Sequence, residues 1–114
     1  MDAERNKLYD RANDFFDAQG SAVMKLTPSA AAEVCLAAAR RGLVIARVEG
    51  GIWHNPGFEA RGDCIWDGVD SPVDESTAER NNTEAAEFVR EERNVHSGFV
   101  ITAPPITGWL HRKA

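Results

Sequence analysis

Apolar positions fall into separate blocks along the chain, and the period changes from block to block. Leu8, Ala12, Phe15 and Phe16 follow i, i+4, i+7, i+8 spacing with charged residues between them. That spacing predicts an amphipathic helix over residues 2–19, stopped at Gly20. A second helix is predicted over residues 28–41, because Thr27 is a good N-cap and Pro28 fits the first helical position. Ala31, Val34, Cys35 and Ala38 give it a stripe of small residues suited to close packing on a sheet. Arg40 and Arg41 favour the negative end of the helix dipole, and Gly42 suits the residue after the last turn. Leu43-Val44-Ile45-Ala46-Arg47-Val48 follows as a strand rich in β-branched residues.

Residues 49–68 form the most constrained part of the chain. Gly50-Gly51 and Asn55-Pro56-Gly57 bracket the short run Ile52-Trp53-His54, so the pattern reads as strands at 51–54 and 58–66 joined by a turn. Residues 67–82 show no apolar period and read as a long surface loop. A helix is predicted from Thr83, its N-cap, to about Asn94, with Ala85, Phe88 and Val89 on one face. Residues 98–102 read as a last strand ended by Pro104-Pro105. The short tail is basic at Arg112-Lys113, with Trp109 as its anchor.

The predicted order is therefore α-α-β-β-β-α-β. The strands between 43 and 66 should form an antiparallel meander, with the late strand at an edge or inserted centrally. This is an α+β two-layer domain, a small and mainly antiparallel sheet with helices packed on one face. The expected organisation is an N-terminal helical extension over 1–23, a domain over 24–104 and a tail over 105–114. A chain of 114 residues suffices for one modest core.

Charge adds to this picture. The net charge of −5 disfavours direct nucleic-acid binding, since a phosphate backbone rewards the opposite sign. Between Glu49 and Glu79 eight carboxylates face Arg61 alone. Such a run is either a solvated face or a surface that steers a basic partner. Cys35 and Cys64 lie far apart, without metal-ligand spacing, and read as small core residues. No apolar run has signal-peptide or membrane-spanning length, so a cytoplasmic protein that does not engage membranes is expected.

Candidate chemistry is sparse. His54 with Asp63 or Glu59 on the neighbouring strand could make a general-base pair, or His54 could be an ordinary surface residue. No phosphate loop, HExxH pattern or CxxC pair is present. A metal site built from His54, Cys64 and the aspartates lacks supporting spacing. Neither catalysis, a metal nor a cofactor is expected. Trp53 and Trp66 fall on adjacent predicted strands, where they could pair across the sheet or form hot spots of a protein interface.

Several of these motifs, in this order, resemble a known family. Met24-Lys25-Leu26-Thr27-Pro28-Ser29-Ala30-Ala31, Glu33-Val34-Cys35, Ala38-Ala39-Arg40-Arg41-Gly42-Leu43 and Gly50-Gly51-Ile52-Trp53-His54-Asn55-Pro56-Gly57-Phe58 are similar to the immunity proteins of the tRNA-cleaving colicin of the E-five type. The resemblance continues at Trp66, at Glu79-Arg80-Asn81-Asn82 and at Gly98-Phe99-Val100-Ile101-Thr102. It covers roughly residues 24–102. It implies a small α+β protein, not itself a catalyst, that binds a basic ribonuclease toxin and blocks its tRNA-binding cleft. The contacts then expected are Trp53, His54, Asn55, Glu59, Asp63, Trp66, Asp67, Asp70, Asp74 and Glu75. The alternative is a small-molecule-binding or regulatory α+β domain without a toxin partner. The first helix could also support a homodimer.

Overall fold

A computed structural model describes residues 4–18 and 23–108. Its elements are β1 (Leu8–Tyr9), α1 (Ala12–Asp17), β2 (Lys25–Leu26), α2 (Pro28–Ala38), β3 (Arg47–Trp53), β4 (Phe58–Asp67), α3 (Glu75–Glu92) and β5 (Gly98–Thr102). A 3₁₀ turn over Ala39–Arg41 extends α2. The sheet has the order β1-β2-β5-β3-β4, antiparallel except for the β1–β2 pair. This is the expected α+β architecture, with the late strand inserted centrally. The expected helix stop at Gly20 and the anchor Trp109 lie outside the described residues.

Packing explains why helices occupy one face. Strand alternation sends Val48 and Gly50 of β3, Phe99 and Ile101 of β5, and Cys64 of β4 to the same side. Those side chains share one core with Phe15, Met24, Leu26, Val34, Cys35, Ala85 and Val89. α2 carries Ala30, Ala31, Val34, Cys35, Ala37 and Ala38 inward, and small residues let it approach α3 and the sheet closely. Its start is as expected, since the Thr27 hydroxyl accepts the Ala30 N–H at 3.2 Å and Pro28 opens the helix. Gly42 closes the 3₁₀ turn at φ 78°, a left-handed conformation that favours glycine.

Four local expectations are corrected. Among the described residues the first helix is only α1, because Tyr9 accepts the Thr27 N–H at 2.9 Å and Leu8–Tyr9 is drawn into the sheet beside Lys25–Leu26. Ala12 and Phe15 of α1 are buried in this chain's own core.

The second correction concerns Leu43 to Ala46, which is irregular. Here Val44 and Ala46 donate to Pro104 and Thr102, but Ile45 turns both its backbone groups to α3. The predicted strands at 43–48 and 51–54 are consequently one strand, β3.

Third, α3 begins at Glu75, with Asp74 as its N-cap, so the second half of the predicted loop is helix. Its buried positions are Ala78, Asn81, Asn82, Ala85, Ala86 and Val89, an unbroken helical stripe hidden because two of its members are polar. Thr83 lies in mid-helix, where its hydroxyl donates to the Glu79 carbonyl at 2.9 Å.

Fourth, the register pairs Trp53 with Phe58 and Val48 with Trp66, so the two tryptophans sit at opposite ends of the hairpin.

The two asparagines have a clear task. Asn82 Oδ1 accepts the Ile45 N–H at 2.8 Å, and Asn82 Nδ2 donates to the Leu43 carbonyl at 3.1 Å. Asn81 Nδ2 donates to the Ile45 carbonyl at 2.8 Å and to Asn82 Oδ1 at 3.0 Å, while its Oδ1 accepts the Val69 N–H at 2.9 Å. A buried irregular backbone must find such partners, and this pair supplies them.

Candidate protein-binding surface

The Gly-Gly and Asn-Pro-Gly motifs build a long hairpin at the edge of the sheet. A Cβ on Gly50 would lie 2.4 Å from Cys64 Sγ and 3.0 Å from the Phe99 ring. On Gly51 it would lie 2.2 Å from the Glu59 carbonyl oxygen and 2.7 Å from the Phe58 ring. Both glycines are therefore required by close approach, one on each face. At the turn the His54 N–H donates to the Gly57 carbonyl at 2.8 Å, with Asn55 at φ 53° and Gly57 at φ 107°. Residues 61–64 of β4 stand opposite the single Gly50, so this edge strand is irregular and highly exposed.

The face of the sheet turned away from the helices carries Arg47 and Glu49 of β3, Val100 and Thr102 of β5, and Ile65 and Asp67 of β4, which are cross-strand neighbours. Arg47 Nε donates to Asp67 Oδ1 at 2.8 Å, and the hydrogen bond with Asp67 holds the guanidinium further above its already high range. Phe58 lies on the same face across Gly51 and Gly98, with Lys25 5.9 Å from its ring centre. Trp53 is half-buried next to it in register. Its backbone N–H donates to the Ser97 hydroxyl at 2.8 Å.

Other predicted contact residues lie elsewhere. At the hairpin tip His54 Nε2 is 2.9 Å from Glu59 Oε1, and Arg61 Nε donates to Glu59 Oε2 at 3.2 Å. Alternation puts this trio on the face opposite Trp53 and Phe58. The bond from His54, then the charge of Arg61, hold the Glu59 carboxyl below its usual value. Glu59, not Asp63, is thus the partner of His54, and both groups are about half exposed. Asn55 and Asp63 are exposed, at the turn and on β4. Trp66 faces the helices, half-buried against the core.

Asp70 is exposed in the link to α3. Asp74 accepts the Thr77 N–H at 2.7 Å as the helix cap, and hydrogen bonds with Thr77 hold its carboxyl below its usual value. Glu75 follows in the first turn. The structure thus divides the expected contacts into an open sheet face, a hairpin tip and the start of α3. β4 spans the same ladder as the seven residues of β3, roughly 20 Å, so Glu59, Asp63 and Asp67 form a ridge along one edge of the sheet. Sequence reasoning missed Phe58 and Ile65 as apolar members of that ridge. Ile65 is 37 % exposed, and only the register shows which way it points.

Among the described residues no helix is long and apolar enough to cross a membrane. Comparison with known proteins gives a consistent result. A family model described as "Colicin-E5 Imm protein" matches residues 24–103. The "Immunity protein CdiI" of Burkholderia pseudomallei is 60 % identical over 109 residues, covering 96 % of this chain and all of that relative. The "Colicin-E5 immunity protein" of Escherichia coli is 41 % identical over 81 residues, covering 69 % of this chain and 96 % of that relative.

Proposed function

The chain belongs to the colicin-E5 immunity protein family, and from that premise we propose that it is a non-catalytic inhibitor of a basic ribonuclease toxin domain. In this reading its exposed β4 edge and the open face beside it enter the toxin's RNA-binding cleft. Asp63 and Asp67 take the place of phosphates, with Glu59 reached at the hairpin tip from the other side of the edge, while Trp53, Phe58 and Ile65 supply the apolar contact. The observation that carries the proposal is the exposure of that acidic edge strand, where only Arg47 and Arg61 offset the carboxylates from Glu49 to Asp67. A net negative charge along an edge both discourages sheet-to-sheet aggregation and steers an oppositely charged partner. No catalytic role is assigned to His54, whose imidazole is engaged by an exposed carboxylate.

The test uses tRNA cleavage by a purified ribonuclease domain of an E5-type toxin, taken first from the genome that encodes this chain. One equivalent of the protein should abolish cleavage. Asp63→Lys with Asp67→Lys should slow association by ~10-fold at low salt and flatten its salt dependence, as loss of electrostatic steering requires. Undiminished cleavage at a large excess of folded protein would refute the inhibitor reading. Inhibition with unchanged association in the double variant would place the interface elsewhere.

A further inference from the structure

Behind the hairpin, three side chains from different elements converge: Cys64 of β4, Glu92 at the end of α3, and His96 just before β5. We infer that Cys64 Sγ, Glu92 Oε1 and His96 Nδ1 form a binding site for a zinc-like divalent metal ion. The three atoms lie within 4.8 Å of one another. His96 Nδ1 is 3.0 Å and Cys64 Sγ 3.7 Å from Glu92 Oε1. Tetrahedral zinc with its usual bond lengths would require about 3.3 Å and about 3.5 Å for these two edges. The third edge, Cys64 Sγ to His96 Nδ1, lies within 4.8 Å and would close to about 3.6 Å around the ion by side-chain rotation. Thiolate, imidazole and carboxylate are the donor types zinc takes, and three of them leave a fourth position for water.

Two features point to a ligand here and not to ordinary packing. His96 is 8 % exposed, and its Nδ1, although close to the Glu92 carboxylate, meets it at an angle that makes no hydrogen bond. It is a buried polar atom without a hydrogen bond, a costly arrangement that a metal would relieve. The surrounding backbone is also set in advance. His96 N–H donates to the Glu92 carbonyl at 2.9 Å, and Ser97 N–H donates to the Gly51 carbonyl at 2.9 Å. Gly50 leaves the space that Sγ fills. On binding, the Cys64 thiol releases its proton to solvent, a metal–sulfur bond forms, and no oxidation state changes. The ion would tie β4 and the end of α3 to the turn that leads into β5, behind the hairpin.

Cobalt(II) is the probe, titrated into the full chain kept reduced with a phosphine. The expected result is a thiolate-to-cobalt charge-transfer band and the visible absorption of a four-coordinate site. Both should saturate at one equivalent and disappear when zinc is added. Cys64→Ser should remove the charge-transfer band, His96→Gln should weaken cobalt affinity by at least ~10-fold, and Cys35→Ser should leave both unchanged. Circular dichroism confirms the fold of each variant, and the wild-type titration stands without them. Absence of the band in the wild-type chain, or its survival in folded Cys64→Ser, would overturn the assignment.

Discussion

Replacing Asn82 with alanine would isolate the contribution of the asparagine pair. Asn82 is 2 % exposed and lies in mid-helix, yet its amide satisfies two backbone groups of an irregular segment far away in sequence. Asn82→Ala strands the buried Ile45 N–H and the part-buried Leu43 carbonyl. Leaving such groups unsatisfied costs about 1–3 kcal/mol each, so a total loss of roughly 2–4 kcal/mol is expected. At about 4 °C per kcal/mol for a domain near this size, Tm should fall by roughly 8–16 °C. Urea and thermal unfolding followed by circular dichroism would measure it. Glu84→Ala, exposed in the same helix, should change stability by less than about 0.5 kcal/mol. Asn81→Ala should also destabilise, and the double variant should fall short of the sum by about 0.5 kcal/mol or more, because the two amides share Ile45 and each other. An Asn82→Ala protein within 0.5 kcal/mol of wild type would refute the claim that these side chains hold the segment.

Gly50→Ala should cost about 1–3 kcal/mol by overpacking, because its methyl would meet Cys64 Sγ at 2.4 Å. In a Cys64→Ala background the same change should cost clearly less, and an equal cost in both backgrounds would show that the sulfur is not the obstacle. Glu59 and Asp74 are both held below their ordinary values of 4.5 and 3.8, by hydrogen bonds from His54 and Thr77 respectively. The native protein therefore binds fewer protons than the unfolded chain in mild acid. The stabilisation is complete above those values and is lost as pH falls through the lower folded ones. Thermal unfolding across that acid range should show Asp74→Asn flattening the curve, and an unchanged slope would exclude Asp74 as a contributor.

The parts of the fold that the sequence determined are those in which a few adjacent residues decide the outcome. Thr27-Pro28 starts a helix because a side-chain oxygen and a missing N–H act within one turn. Gly42 and Asn55-Pro56-Gly57 set backbone angles that other residues resist. The run Gly98–Thr102 is a strand by its own composition. Cys35 and Cys64 are buried, as their apolar neighbours implied.

Tertiary structure decided whatever depended on a distant partner. Leu8–Tyr9 is a strand only because Lys25–Leu26 and Thr27 lie alongside to take its hydrogen bonds. The first half of α3 looked like loop because Asn81 and Asn82 break the apolar period. They are buried only because residues 43–46 and 69 offer them matching donors and acceptors. The acidic stretch was plain in the sequence, but register and alternation decided which of its members share a face. Cys64, Glu92 and His96 stand 28 and four residues apart along the chain. No spacing rule would have joined them, since strand pairing and helix packing alone bring their donor atoms within 4.8 Å.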